Sequence, residues 1–90
     1  MANSFRKYQA LYFEPEYQRP MTETEIFRKL GKRIRTIRQE KGITQNELAK
    51  ICGFEKASMS RIESGLANPT TRTLYKISKA LDVALGDFFK

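Results

Sequence analysis

The chain has 90 residues, a single cysteine, no histidine and a formal net charge of +7. This composition excludes intrachain disulfides, zinc fingers and nucleophile pairs that rely on histidine, so we predict neither enzymatic activity nor a bound metal or cofactor. The length allows one compact core, no apolar run reaches the roughly 20 residues that cross a bilayer, and the basic excess favours a polyanionic partner such as nucleic acid or anionic lipid.

Residues 1–22 differ from the rest of the chain and are predicted to form an N-terminal arm ahead of a single domain over residues 23–90. Aromatic residues are concentrated in the arm, and two prolines interrupt any long helix there. These residues are Phe5, Tyr8, Tyr12, Phe13 and Tyr17, with Pro15 and Pro20. The arm is open to packing on the first helix, exchange with a dimer mate, docking of a protein partner, or disorder. Its start lacks the apolar stretch of a secretory signal, so we expect a cytoplasmic protein.

A long amphipathic helix is predicted to begin after Thr22, which forms a capping-box pattern with Glu25. Apolar residues then recur at steps of three and four, the spacing of a helix with one buried face. They are Ile26, Phe27, Leu30, Ile34 and Ile37. Lysines and arginines cover the remaining face, and Gly42 ends the pattern. The first helix is therefore predicted to carry a basic outer side.

Two short helices joined by a tight turn are predicted to follow. A second capping box, Thr44 with Glu47, opens helix 2, and Gly53 allows the left-handed conformation that ends it. Helix 3 is expected over about residues 55–64, with Gly65 as its terminator. The inward-facing residues of the two helices are Leu48, Ala49, Cys52, Met59 and Ile62. Two steeply crossed short helices need a small residue at the crossing, a glycine at the turn and apolar residues that anchor them to the core.

The last part of the chain is predicted to form two more helices. Thr70 is the expected N-cap of helix 4. The apolar residues of helix 4 are Leu74, Ile77, Ala80 and Leu81. A final short helix is expected over residues 85–89. Five helices, with no strand pattern and no internal repeat, predict a compact all-α fold.

Four segments combine glycine, capping, apolar and polar positions over some sixty residues: GITQxELA at 42–49, GF at 53–54, MSRIESG at 59–65 and NP at 68–69. Together they resemble the Cro and lambda-repressor type (XRE family) of helix-turn-helix proteins, over about residues 27–89. The resemblance implies a lambda-repressor-like DNA-binding domain whose helix-turn-helix spans about residues 44–65. It also implies a transcriptional repressor that binds a palindromic operator as a homodimer, with half-sites about one DNA turn apart.

The resemblance also assigns roles in DNA binding to individual residues. Helix 3 is expected in the major groove, with Arg61 as the leading base reader because a guanidinium can donate two hydrogen bonds to guanine. Helix 2 is expected to rest its N-terminus, at Thr44 and Gln45, against a phosphate. The other positions carried over as DNA contacts are Glu55, Lys56, Ala57, Ser58, Ser60, Ser64 and Asn68. The competing interpretation is that these residues form an ordinary solvated helix face.

Glu55 departs from the family pattern, because relatives place Ser or Thr there to cap helix 3. The cap is therefore expected to be weaker. The Glu55 carboxylate could either accept a hydrogen bond from cytosine N4 or repel a phosphate group. Ala84 likewise replaces the usual capping serine before the last helix.

An ion pair and a set of dimer contacts are also predicted, and a rival function stays open. Arg38 and Glu63 match an arginine and a glutamate that form a structural ion pair between helix 1 and the end of helix 3. The candidate dimer contacts, with packing on the chain's own core as the alternative, are Leu85, Phe88 and Phe89. In the rival function, the protein is an antitoxin-like component that represses its own operon and binds a protein toxin through the aromatic arm. Arg6 and Lys7 also permit the arm to bind in the DNA minor groove. No membrane partner is predicted, because no helix sets a broad basic face against bulky apolar residues.

Overall fold

The computed structural model describes residues 20–90, so residues 1–19 of the predicted arm lie outside the described residues. Four α-helices and a short 3-10 helix form the described part. They are α1 (Glu23–Glu40), α2 (Gln45–Cys52), α3 (Lys56–Glu63), α4 (Thr71–Leu81) and the C-terminal 3-10 helix (Leu85–Phe89). The all-α prediction is confirmed, and residues 20–90 contain no strand. No helix within this range is long and apolar enough to cross a membrane.

Threonines begin three of the four α-helices, as predicted. The hydroxyls of Thr22 and Thr70 each accept the backbone N–H of the residue three positions further on, at 3.2 and 3.1 Å. Thr44 forms a full capping box, because its hydroxyl accepts the N–H of Glu47 at 3.1 Å and the Glu47 carboxylate accepts the N–H of Thr44 at 3.2 Å. Each cap satisfies an amide that has no partner within its helix, and is worth about 1 kcal/mol.

The other two helical segments begin without a capping hydrogen bond to the side chain of the cap residue. Glu55 precedes α3 and makes no side-chain capping hydrogen bond. The fifth predicted helix is a 3-10 helix rather than an α-helix, in keeping with the short lengths in which this form is used. Ala84 precedes it, and the Asp87 carboxylate accepts the N–H of Ala84 at 3.2 Å. Arg33 holds the segment on α1 by donating from Nε to the Asp87 carbonyl at 2.9 Å.

The core between the helices contains most of the apolar residues that the periodicity predicted. Its buried members are Leu30, Ile34, Ile37, Leu48, Ala49, Met59, Ile62, Leu74, Ile77, Leu81 and Phe88. Full burial of each large side chain contributes about 1.5–3 kcal/mol. The prediction that Ile26 belongs to the buried face is wrong, since its side chain is 44% exposed. Ile26 lies in the first turn of α1, where it lines a shallow groove with Met21 and Phe89 instead of packing beneath another helix.

α1 and α3 cross with their backbones nearly in contact, and Gly31 permits this crossing. A Cβ atom on Gly31 would lie 2.4 Å from the carbonyl oxygen of Ile62 and 2.6 Å from that of Glu63. Just beyond α3, Gly65 has a φ of +76°, and a Cβ atom there would lie 2.7 Å from the Cα of Arg28. Only glycine fits both positions without a shift of the backbone. α1 therefore supports α3 from behind and fixes how the outer face of α3 is presented.

Candidate nucleic-acid interface

The outer face of α3 is polar and basic, whereas its inner face is buried. Met59 and Ile62 face the core. On the other side, the predicted base-contact positions Lys56, Ala57, Ser58 and Arg61 are exposed, and Ser60 is half-buried. Ser64 and Asn68, which are predicted to lie near phosphates, are exposed just beyond the helix. The structure therefore leaves these side chains accessible to a partner.

An open cleft of ≈ 340 Å³ lies between α3 and the loop that precedes α4. Ser58, Arg61 and Asn68 all line this cleft, so three predicted DNA contacts from two segments are brought together. Nη2 of Arg61 donates to the carbonyl oxygen of Leu66 at 3.2 Å. A guanidinium carries five N–H groups, so this bond leaves donors for an external acceptor. Nothing in the residue types indicates the Leu66 contact, because a backbone oxygen is present at every residue.

The N-terminus of α2 presents backbone N–H groups to an anion. The hydroxyl of Thr44 accepts a hydrogen bond from the amide of Glu47, and the Thr44 carbonyl oxygen accepts one from the amide of Leu48 at 2.9 Å. The amides of Gln45 and Asn46, the first two of the helix, remain for an external acceptor. The positive end of the helix dipole lies at the same point. This arrangement suits a phosphate group, and it occurs where the sequence predicts one.

Arg38 and Glu63 form a buried ion pair behind the α2 N-terminus. Nε and Nη2 of Arg38 donate to the two carboxylate oxygens of Glu63 at 2.7 and 3.0 Å. The third nitrogen, Nη1, donates to the carbonyl oxygen of Ile43 at 2.9 Å. The two side chains are only 9% and 2% exposed. The pair that the resemblance implies is thus present, and it joins α1, α3 and the loop before α2.

Gln45 connects this ion pair to the start of α2. Its Nε2 donates to Oε1 of Glu63 at 3.2 Å, a contact that sequence reasoning missed. Since an amide nitrogen carries two N–H groups, the second remains for the phosphate that the resemblance assigns to Gln45. Glu63 binds Arg38 at the same time, so the α2 N-terminus is fixed relative to both α1 and α3.

The three candidate dimer-contact residues differ in exposure. Phe88 is 2% exposed and belongs to the core. Its assignment as a dimer contact is therefore corrected to a core position, because the 3-10 helix turns its ring inward. Leu85 is partly buried against the same core. Phe89 is 61% exposed, and with Met21 and Ile26 it lines an apolar groove of ≈ 200 Å³.

Within residues 20–90, no three Cys, Asp or Glu side chains are placed to share a metal ion. Cys52 is half-buried, and this burial raises the pKa of its thiol while the charge of Lys76 partly offsets the shift. The neutral thiol is thereby favoured over the nucleophilic thiolate.

The HTH_3 helix-turn-helix family model matches residues 34–88, which is more than half of the chain. The chain belongs to the HTH_3 family. Its XRE-type members are DNA-binding transcriptional regulators, so the resemblance inferred from the sequence is confirmed. The matched range contains all of α2, α3 and α4 together with the last seven residues of α1.

Several proteins are similar to this HTH_3 chain. The uncharacterized HTH-type transcriptional regulator y4dJ of Sinorhizobium fredii is 43% identical over 55 residues, which cover 61% of this chain and 71% of that regulator. Antitoxin HipB of Escherichia coli is 36% identical over 56 residues, which cover 62% of this chain and 64% of HipB. Among solved structures, the restriction-modification controller protein C.AhdI from Aeromonas hydrophila has a TM-score of 0.69 and 30% identity, over 70% of this chain and 96% of that protein. Some of the matched regulators are longer, and the match covers only 32% of their length.

Proposed function

We propose that this HTH_3 protein is a sequence-specific regulator that binds double-stranded DNA by placing α3 in the major groove. The observation that carries the proposal is the outer face of α3, where Lys56, Ser58 and Arg61 are exposed. Met59 and Ile62 anchor the opposite face in the core. An α-helix fits the major groove, where each base pair displays a distinct pattern of donors and acceptors. Support from α1 would hold α3 in a fixed register against the bases.

Arg61 is the proposed principal base reader. Two of its N–H groups can pair with O6 and N7 of guanine, which discriminates against other bases by about 1–3 kcal/mol. The hydrogen bond from Nη2 to the Leu66 carbonyl restricts the side chain before DNA arrives, so less conformational entropy is lost on binding. Lys56 is proposed to approach a guanine or a phosphate, and Ala57 a thymine methyl group.

Phosphate contacts are proposed at both ends of the reading helix. The amides of Gln45 and Asn46 at the start of α2 would bind one phosphate, with the second N–H of the Gln45 side chain assisting. Ser64 and Asn68, which are exposed beyond α3, would contact the backbone on the other side. Such contacts set the register of the protein on the duplex but carry little sequence information themselves.

The proposed active form is a homodimer on a palindromic operator, and repression is the outcome that the resemblance implies. One α3 covers only a few base pairs, so a second copy about 34 Å away adds affinity and doubles the sequence that is read. The exposed ring of Phe89, beside Ile26 and Met21, supplies an apolar surface for this contact.

Phe89→Ala is expected to weaken the dimer in mass measurements at micromolar concentration. Ile51→Ala is the control, because Ile51 is equally exposed, at 60%, on α2. A wild type that stays monomeric even with operator DNA would contradict the dimer.

Selection of bound duplexes from a random DNA pool tests the proposed function. Wild type, Arg61→Ala and Lys79→Ala are compared, since the last variant removes one exposed positive charge from α4. We expect an inverted repeat to be enriched by wild type and by Lys79→Ala. With Arg61→Ala, the preference should relax at one position in each half-site. Binding that shows only a steep salt dependence, with no enriched sequence, would contradict sequence-specific recognition.

An antitoxin role is the second candidate, and the similarity to Antitoxin HipB favours it. The same DNA-binding mechanism would then serve autoregulation, while residues 1–20 would engage a protein toxin. Co-expression with the product of an adjacent gene tests this role. We expect a stable complex that is lost when residues 1–20 are deleted, with operator binding retained. The absence of any such complex would leave a free-standing regulator.

A further inference from the structure

We infer that a row of basic residues on α1 binds the DNA backbone beyond the base pairs read by α3. The row consists of Arg28, Lys32 and Arg35, which follow one another at steps of four and three and therefore lie on one side of the helix. All three side chains are exposed. Within residues 20–90, no ion pair joins any of them to an acidic side chain. This α1 basic row rests on the proposed function, because it extends the same DNA-binding surface.

The position of the row connects it to the proposed interface. A Cβ atom on Gly65 would lie 2.7 Å from the Cα of Arg28 and 2.8 Å from its Cγ. Arg28 therefore lies directly beside the start of the loop over residues 64–68, where phosphate contacts are proposed. From Arg28, the row follows α1 for seven residues, or about 10 Å at 1.5 Å per residue. With α1 lying along the duplex axis, one DNA strand would present about three phosphates over that distance, one for each cation.

The charges around the row also favour a polyanion. The neighbouring cation Arg33 is already used, because it donates to the Asp87 carbonyl at 2.9 Å. The charge of Glu63, the acidic residue of α3, is already compensated in its buried pair with Arg38. On α1 itself, Glu23 and Glu25 precede the row and Glu40 follows it, so acidic side chains lie only at its ends.

Two of the three residues of the row precede the matched helix-turn-helix region, and Arg35 lies just inside it. The family match begins at residue 34, so Arg28 and Lys32 precede it. They lie in the part of α1 that precedes the matched region, residues 23–33. We therefore expect this chain to gain contacts with flanking DNA that do not depend on the bases read by α3.

The test compares two variants that lose the same number of charges. The row variant carries Arg28→Gln, Lys32→Gln and Arg35→Gln. The control variant carries Lys50→Gln, Lys76→Gln and Lys79→Gln, exposed positions toward the C-terminal ends of α2 and α4. Affinity is measured against salt on two duplexes: the selected inverted repeat alone, and the same repeat extended by about 10 base pairs, one helical turn, on each side.

On the extended duplex, the row variant should lose about 2.7 from the slope of log affinity against log salt for each protomer, at about 0.9 per phosphate. Affinity relative to wild type then changes about 40-fold for each protomer, or roughly 2,000-fold for a dimer, between 50 and 200 mM salt. On the short duplex the row and control variants should behave alike. Single substitutions are measured as well, so that a disturbance of α1 cannot account for the loss, and each should lower the slope by about 0.9.

Equal salt slopes for the row and control variants on the extended duplex would overturn the inference. A wild type that prefers neither duplex over random DNA would instead contradict the proposed function, so the two failures are distinguishable.

Discussion

Replacement of Gly31 by alanine tests how closely α1 supports α3. Alanine is more favourable than glycine in a helix interior by about 1 kcal/mol, so Gly31→Ala would stabilise an α1 that had no neighbour. In this fold the new Cβ atom would meet the carbonyl oxygens of Ile62 and Glu63 at 2.4 and 2.6 Å. These distances are about 1 Å shorter than an ordinary contact of roughly 3.5 Å. Helix propensity therefore predicts that Gly31→Ala stabilises the protein, whereas the steric contact predicts that it destabilises the protein.

The steric effect should prevail, because the opposing atoms belong to the α3 backbone and not to the end of a flexible side chain. Relief of the contact requires α3 to move away from α1, which disturbs the packing of buried Ile34 and Met59. Overpacking of this kind costs about 1–3 kcal/mol. Contacts as short as 2.4 and 2.6 Å place the cost in the upper part of this range, at about 2–3 kcal/mol. After a gain of about 1 kcal/mol in helix propensity, we expect the free energy of unfolding to fall by about 1–2 kcal/mol. For a domain of this size, Tm should fall by roughly 5–15 °C.

Thermal and urea unfolding, followed by far-UV circular dichroism, measure this difference. Gly86→Ala is the matched control, because a Cβ atom on Gly86 meets nothing within 4 Å. Its free energy of unfolding should stay within about 0.5 kcal/mol of wild type. A Gly31→Ala protein that is as stable as wild type, or more stable, would refute the close crossing of α1 and α3.

Three further predictions concern side chains with defined partners. Glu63→Ala should lower the free energy of unfolding in urea by about 3–5 kcal/mol, because it leaves the Arg38 charge buried and unpaired. The double variant with Arg38→Ala should lose less stability. Equal losses in the two variants would count against a buried ion pair. Hydrogen bonds from Thr44 hold the pKa of the Glu47 carboxyl below its ordinary value. The ionised carboxylate therefore stabilises the folded protein at any pH above the ordinary pKa, and this stabilisation is lost as the pH falls through the lowered pKa of the folded state. The difference in unfolding free energy between wild type and Glu47→Gln should therefore shrink between about pH 7 and about pH 3, and a difference that stays constant would be inconsistent with the capping box. Burial raises the pKa of the Cys52 thiol, so a thiol reagent at neutral pH should modify the native protein several-fold more slowly than the protein in urea; equal rates would mean that the thiol is not protected.

The features that local chemistry controls could be predicted from the sequence. Thr22, Thr44 and Thr70 begin their helices because a hydroxyl at that point satisfies a free amide a few residues on. Gly53 ends α2 with a φ of 74°, which glycine adopts readily. The spacing of apolar residues identified the buried side of each α-helix. It failed at Ile26, because periodicity shows which face is apolar but not whether another element covers it.

Contacts between residues distant in the chain could not be predicted in the same way. Gln45 and Glu63 are 18 positions apart, and nothing in either residue type indicates that they meet. The Leu66 carbonyl that binds Arg61 has no side-chain signature at all. Gly31 did leave a signal, since an isolated glycine within a helical pattern often has a packing reason. That reason became visible only once α3 was placed against α1.

Methylation interference on the selected operator tests most directly whether α3 reads guanine in the major groove through Arg61. Methylation of guanine N7 blocks the major-groove edge, whereas methylation of adenine N3 blocks the minor groove. Wild type and Arg61→Ala are measured side by side. We predict that N7 methylation of one guanine in each half-site abolishes binding of wild type and has no further effect on Arg61→Ala. Interference confined to adenine N3, or the same pattern with both proteins, would contradict recognition of the major groove by Arg61.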